Sequence, residues 1–369
     1  MSKITIVEER LETLEVDWRA LYSASGSDNP FLCWEWVRFW GEVFGDAQGI
    51  YVLVARQGEL VVGIASFQLS ESRLSFYGDP FFADYAGFLL LPGYEQAGHL
   101  LINKVLKTPG WGVASLEPIR SISNIVPLLD KELENEKVHW SKDTICYNPR
   151  VNTTRGFDEY WSGLAKKLRQ EIRTTENHLV KMGGWKYRCA ADTEFALEIY
   201  QELVRFHMNR QSGKSSHSIF SEDENVSFFA ELICTPMANL KPHLSCIELD
   251  GRIVSAAYSL QCCKTLYYWI PSFDSSVRSV SLGKLHIKCL LESCFADDIV
   301  WLDFMGGDES YKYQWAVDEY QLYRYRIYRN KLAGIAANLH LRSRESLKRV
   351  HDQSTFLQVV RRRLSKIIG

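Results

Sequence analysis

Residues 31–44 (FLCWEWVRFWGEVF) place aromatics at mostly helical spacing, with Trp36, Trp40 and Phe44 four apart on one face. The pattern then changes. Residues 50–69 read as two apolar strands around a Gln57-Gly58 turn. Residues 73–91 follow as strand, Gly/Pro loop and strand, and 92–112 hold a helix closed by Pro109-Gly110. Residues 155–182 form a single long charged amphipathic helix stopped by Gly183-Gly184, a connector into a second unit. A helix over 192–211 buries Phe195, Ile199, Leu203 and Phe206, and a long polar loop, QSGKSSHSIFSEDEN, comes next. A second hairpin turns at Asp250-Gly251. It leads to a strand over 265–273, a helix over 281–295, a buried strand over 299–305 and a last strand over 321–329.

The two hairpins resemble each other. At a shift of 193 residues, Gly58, Val61, Ser66 and Gln68 fall on Gly251, Val254, Ser259 and Gln261. Duplication of a helix–hairpin–strand unit follows as an expectation, against two unrelated hairpins with glycine turns.

The chain has 369 residues, 46% of them hydrophobic and 24% charged, which fits two ordinary globular domains. Its 43 basic and 45 acidic residues nearly cancel, so bulk nucleic-acid binding is excluded. No apolar run reaches the roughly 18 residues of a membrane span. The start, MSKITIVEERLETLEVDWRA, is acidic where a signal peptide is apolar, so a cytoplasmic location is expected. The nine cysteines form no CxxC pair and no zinc spacing. They read as small buried hydrophobes, and no metal is expected.

Candidate chemistry concentrates between Gly251 and Lys312. The strand TLYYWIPSF ends in a loop, DSSVRSVSLGK, that opens a helix with two apolar stripes, one through Ile287, Leu290, Leu291 and Cys294, the other through Leu282, Leu285 and Cys289. Small residues at Ser279, Ser281 and Gly283, with Arg278 and Lys284, suit a pyrophosphate at a helix N-terminus. A capped helix with no ligand explains the same residues.

This order of elements resembles the acyl-CoA-dependent N-acyltransferases of the GNAT superfamily. The loop from Arg278 through Ser281 to Gly283 is similar to that superfamily's pyrophosphate loop, with Ser281 in place of the first glycine. FLCWEWVRFWGEVFG (31–45), FYGDPFFADYAGFL (76–89) and WLDFMGGDESYKYQWA (301–316) resemble the two-domain FemAB-like and CelD-like branch, including nucleotide-sugar N-acyltransferases.

The resemblance implies an α/β (α+β) fold of tandem GNAT-like domains, each a mixed, mostly antiparallel sheet flanked by helices. Residues 1–150 would form an acceptor-side unit, 151–335 the acyl-CoA-binding unit and 336–369 a basic C-terminal helix. Pantetheine would lie along the strand at Trp269 and Ile270, and the pyrophosphate on Arg278, Ser281, Leu282, Gly283 and Lys284. The implied reaction is direct attack of an amine on a CoA thioester, the amine belonging to an amino sugar, nucleotide-linked, for surface polysaccharide synthesis. A FemAB-like aminoacyl transferase and a non-catalytic scaffold are the competing readings.

Acyl transfer needs a proton acceptor for the amine, donors for the oxyanion and alignment of two substrates. Candidate acid–base groups are Asp84 in its Gly/Pro/aromatic loop, His207 at the edge of an apolar helix face and Asp303 in an apolar strand. Each has a structural alternative: an Asx turn, a satisfied core histidine and a paired buried carboxylate. Trp34, Trp36, Tyr85, Arg210, Tyr311 and Lys312 are the candidate substrate-binding residues, with core packing or a surface salt bridge as alternatives. The tail from 342 to 366 carries eight Lys or Arg and two acids, a composition for an anionic surface, a dimer contact or a solvated face. A homodimer is compatible with this reading.

Overall fold

In the computed structural model, residues 3–45, 50–78, 83–136, 138–211, 218–277, 280–307 and 309–330 are described. The basic tail, residues 336–369, and Arg278 lie outside them. The first half runs β1 (Ile4–Glu9), α1 (Glu15–Ser25), α2 (Trp34–Phe44), β2 (Ile50–Gln57), β3 (Leu60–Ser70), β4 (Arg73–Phe76), β5 (Leu89–Leu90), α3 (Glu95–Lys107), β6 (Val113–Arg120), α4 (Ile125–Asn135) and β7 (His139–Asn152). The second runs α5 (Phe157–Gly163), α6 (Lys166–Lys181), β8 (Trp185–Cys189), α7 (Thr193–Gln211), α8 (Asp223–Cys234), β9 (Lys241–Leu249), β10 (Arg252–Cys262), β11 (Thr265–Phe273), α9 (Leu282–Ala296), β12 (Trp301–Asp303) and β13 (Asp318–Tyr328).

The halves repeat one plan. An antiparallel edge strand and two helices precede a three-stranded meander. A helix then crosses to a strand that pairs in parallel with the end of the meander: β4 with β6, and β11 with β12. Gly58 (φ 64°) and Gly251 (φ 74°) occupy matching hairpin turns that need a left-handed residue. Asp250 (φ 50°) shares the second turn. The fold is therefore the tandem α/β arrangement expected.

All the strands belong to one mixed sheet, because each half gives its last strand to the other. The order is β1-β2-β3-β4-β6-β13-β7-β12-β11-β10-β9-β8, with β5 attached to β3. β13 lies antiparallel between β6 and β7, and β7 is antiparallel to β12. Helices cover the central strands on both faces, so β3 and β10 are each buried along seven or more consecutive residues. One apolar cluster spans both halves and joins α1 and α2 to α7 and α8, with Trp36 edge-on to Phe228 at 5.2 Å.

Four local expectations need correction. The connector helix is two helices, because Leu164 (ψ 154°) and Ala165 (ψ 131°) are extended and break it. The polar loop ends in a helix, α8, whose acidic first turn (Asp223, Glu224) opens an amphipathic segment burying Phe228, Phe229 and Leu232. The strand at 299–305 is confined to Trp301–Asp303, since Met305 turns at φ 58°. All nine cysteines are free, but Cys189, Cys234 and Cys263 are exposed rather than core.

Candidate active site

β11 and β12 pair only over Thr265–Tyr267 and Trp301–Asp303. Beyond that point β11 continues to Phe273, while the other chain swings away through Phe304, Met305 and Gly306. The wedge between them opens into a cavity of about 690 Å³. A strand without a neighbour on one side leaves backbone donors and acceptors facing the gap. Trp269 is the extra residue of a bulge, since Tyr258 pairs with Ile270 and Ser259 with Tyr268. Its indole lines the cavity and packs on Phe229 and Trp36.

The start of α9 closes one end of the cavity with Ser281, Leu282, Gly283 and Lys284. The first-turn amides of a helix have no intrahelical acceptor. Ser281 supplies no side-chain cap, and its own amide donates to Thr175 Oγ1 of α6 at 3.0 Å. A Cβ added at Gly283 would meet Phe273 Cε1 at 3.7 Å, an ordinary contact, so the fold itself does not demand glycine there. The Lys284 ammonium is paired with Glu171 of α6, and Lys288 with Glu176 and Glu292. The polar stripe of α9 is thus covered by α6. Ser272, 1% exposed, lies on the cavity wall, its hydroxyl without a hydrogen-bond partner among the described residues. Beside it, Ser255 Oγ meets His286 Nδ1 at 2.8 Å, and His286 Nε2 meets Ser245 Oγ at 2.8 Å. Burial, with His243 nearby, pushes the imidazole down to about 3, so it is neutral.

Other elements complete the walls. From α7 come His207, whose Nδ1 is 2.8 Å from Ser218 Oγ, and Arg210, whose guanidinium lies 4.7 Å over the Phe273 ring. Tyr311 lines the cavity too; burial pushes its phenol up to about 12, Glu309 adding to the effect and Arg210 opposing it. Lys312 is 4% exposed, and its ammonium donates to the carbonyls of Gly306 (2.8 Å) and Met305 (3.3 Å) and pairs with Glu309 at 2.9 Å.

Asp84 enters from the first half of the chain. It is half-buried on the cavity wall and accepts no hydrogen bond from any described residue. Burial pushes its carboxyl up to about 7; Lys312 draws it down, and Asp303 and Glu309 push it further up. A carboxyl that titrates near neutrality at a water-accessible wall suits proton acceptance.

Asp303 is placed differently. It is 2% exposed and does not line the cavity. Its Oδ1 accepts from Tyr85 Oη (2.9 Å) and the Met305 amide (2.7 Å), and its Oδ2 from Tyr320 Oη (2.6 Å). Asn148 Nδ2 donates to the Tyr85 and Tyr320 oxygens at 2.8 and 3.3 Å. Burial raises the Asp303 carboxyl, while those donors and the Arg120 guanidinium pull against it. Trp34 and Trp36 are 4% and 1% exposed in the shared core, Trp36 reaching the cavity only through Trp269. Ile270 is buried behind the wall, as is Tyr85.

The cavity thus gathers Asp84, His207, Arg210, Trp269, Tyr311, Lys312 and residues 281–284. Sequence reasoning missed Ser255, Ser272, His286, Glu309, Glu171 and Thr175. A histidine on an apolar helix face and serines inside apolar strands were the available signals for the first three. Among the described residues, no group of three His, Cys, Asp or Glu is placed to hold a metal ion, and no helix is long and apolar enough to cross a membrane.

Residues 166–313 match the model of a GNAT acetyltransferase domain. The matched segment runs from α6 to just past β12, so this part of the chain is similar to a GNAT acetyltransferase domain. Solved structures with the same fold include FemX (TM-score 0.56, 12% identity, 86% of this chain and 96% of that one). Another is L-PGS from Bacillus licheniformis (TM-score 0.54, 11% identity, 89% and 95%). A third is a conserved protein of unknown function from Bacteroides thetaiotaomicron (TM-score 0.55, 11% identity, 89% and 100%). No curated protein matches the chain.

Proposed function

We propose that the protein transfers an acyl group from a CoA thioester to an amine by direct attack, with Asp84 as the proton acceptor. The observation that carries this reading is the juxtaposition of a carboxyl without a hydrogen-bond partner among the described residues, a splayed strand edge and a helix start in one cavity. The free edge of β11 at Trp269–Phe273 would hold pantetheine through backbone groups. The amides of Leu282–Lys284 would hold the diphosphate, with the Ser272 hydroxyl available to the donor. Arg210, stacked on Phe273 and without a carboxylate partner among the described residues, supplies positive charge at that end. His207 and Tyr311 would orient the acceptor. An ammonium reaching Asp84 gives one proton to the carboxylate; the neutral amine then attacks the thioester carbon, the C–S bond breaks, and the second N–H proton passes to the departing thiolate, so no covalent enzyme intermediate is required. The proposed acceptor is an amino sugar, nucleotide-linked, in surface polysaccharide synthesis inside the cytoplasm.

One observation favours a second reading, a FemAB-like aminoacyl transfer as the likeness in fold to FemX suggests. Lys284 is committed to Glu171 and the Ser281 amide to Thr175, which leaves the cradle with fewer groups for a diphosphate. Titration calorimetry with acetyl-CoA, and thiol release from it in the presence of an amine panel that includes glucosamine, decide between them. Saturable heat and amine-dependent thiol release support the first reading. No heat at millimolar acetyl-CoA sinks it.

A further inference from the structure

The Asp303 carboxylate ties the two halves of the chain together beside the cavity without touching it. Every group hydrogen-bonded to it is a donor. Tyr85 and Tyr320 give it their hydroxyl protons, Met305 gives its amide proton, and Asn148 supplies N–H groups to the two tyrosine oxygens. Three of the carboxylate's four acceptor positions are taken, and the side chain is 2% exposed and off the cavity wall, so a substrate proton does not reach it. Its two anchors are the neighbours of the working surface. Tyr85 follows Asp84 in the chain. Met305 is held at φ 58°, a conformation costly for a non-glycine residue, and its carbonyl and that of Gly306 fix the Lys312 ammonium.

We infer that Asp303 is a positioning residue that sets the Asp84 segment of the first half and the Met305–Gly306 turn of the second half against each other across the cavity, and that Tyr85 is its mechanical link. The inference rests on the proposed acyl transfer for its kinetic consequence and on the hydrogen bonds alone for its structural one. Tyr85→Phe keeps the ring and removes the link, and Asp303→Asn keeps the shape and removes the charge. Each is expected to lower kcat for amine-dependent thiol release from acetyl-CoA about 10- to 100-fold, with KM for acetyl-CoA within about twofold. The double variant is expected to be no slower than the worse single one, since both break one linkage.

A readout independent of turnover is the methyl resonance of Met305, one of five methionines, in methyl-labelled full-length protein, assigned with Met305→Leu. It should shift and broaden in both single variants and stay in place in Asp84→Asn. Unchanged kcat in a folded Tyr85→Phe variant, or losses that multiply in the double variant, overturns the inference. Should wild-type protein release no thiol from acetyl-CoA, the acyl-transfer reading fails and the methyl signal alone decides. An unmoved Met305 resonance in both variants then overturns the linkage, and a displaced one supports it.

Discussion

Asp84 carries opposite consequences for activity and stability. Its folded carboxyl titrates near 7 against an ordinary value of 3.8, because it is drawn out of water at the cavity wall and no described residue donates a hydrogen bond to it. A base must be ionised to act, so the rate of thiol release should rise with pH through about 7 and level off above it. Stability has the other sign. A carboxyl with a raised folded value contributes stability below its unfolded value and loses it as pH climbs through about 7. Asp84→Asn should therefore abolish most activity at pH 8 and raise unfolding stability there by on the order of 1–2 kcal/mol, with no gain at pH 4. Denaturant melts at the two pH values check this, and destabilisation at pH 8 would contradict it. His286 titrates in the reverse sense. Its folded value, about 3, lies below the ordinary 6.5, so its contribution is present above 6.5 and is lost as pH falls towards 3. About 2 kcal/mol should disappear between pH 7 and pH 5, and His286→Gln should flatten that slope. The chemistry of the site was only partly legible in the chain. Asp84, His207, Arg210, Tyr311 and Lys312 stood out as chemically apt residues near apolar patterns. The division of labour between Asp84 and Asp303 did not, because it depends on which carboxyl meets Tyr85, Tyr320 and the Met305 amide.

At the scale of elements, α6 decides what the start of α9 has to offer. Glu171 occupies Lys284, and Thr175 occupies the Ser281 amide. A diphosphate arriving at Leu282–Lys284 meets a cation already neutralised. Glu171→Gln should release that cation and tighten acetyl-CoA binding about 2- to 5-fold at low salt, since a pair still partly open to solvent is worth about 1 kcal/mol or less. Lys284→Ala should weaken it. Calorimetry at two ionic strengths checks both, and equal affinities for wild type and Glu171→Gln would show that the pair does not compete with the ligand. The helix α9 itself was readable, since its two apolar stripes are the ones the fold buries, together with His286. Both hairpins were readable from their glycine turns. The break at Leu164–Ala165 was signalled by Gly163 and by the uncharged YWSGLA between the two charged runs, and was passed over because the charged pattern resumes at Lys166. The helix α8 was not readable, because its acidic first turn looks like loop until Phe228 and Phe229 find the aromatic side chains of α2 and Trp269. The partners of Lys284 and Ser281 lie 113 and 106 residues away, beyond any local pattern.

The whole molecule is defined by the exchange of last strands. β7 completes the sheet of the second half, and β13 completes that of the first, so the edges that would otherwise meet solvent are paired. The same exchange carries Tyr320 of β13 to the carboxylate of β12 and Asn148 of β7 to the Tyr85 and Tyr320 oxygens, next to the cavity that Asp84 lines. An interlocked sheet has no plane along which the halves separate without breaking strand pairs on both sides, so the two should unfold together. Leu322 tests this. It is 2% exposed and sits in the core shared by the halves, opposite Arg120 of β6 and Cys146 of β7. Leu322→Ala should cost about 2–5 kcal/mol, the usual range for a buried leucine truncated to alanine. Hydrogen exchange read by mass spectrometry should show peptides of β2–β3, in the first half, and of β9–β10, in the second, losing protection by the same free energy as those of β6 and β7. Loss confined to β13 and its immediate neighbours, with β9–β10 protected as in wild type, would mean that the halves unfold separately and that the shared strands join two independent units.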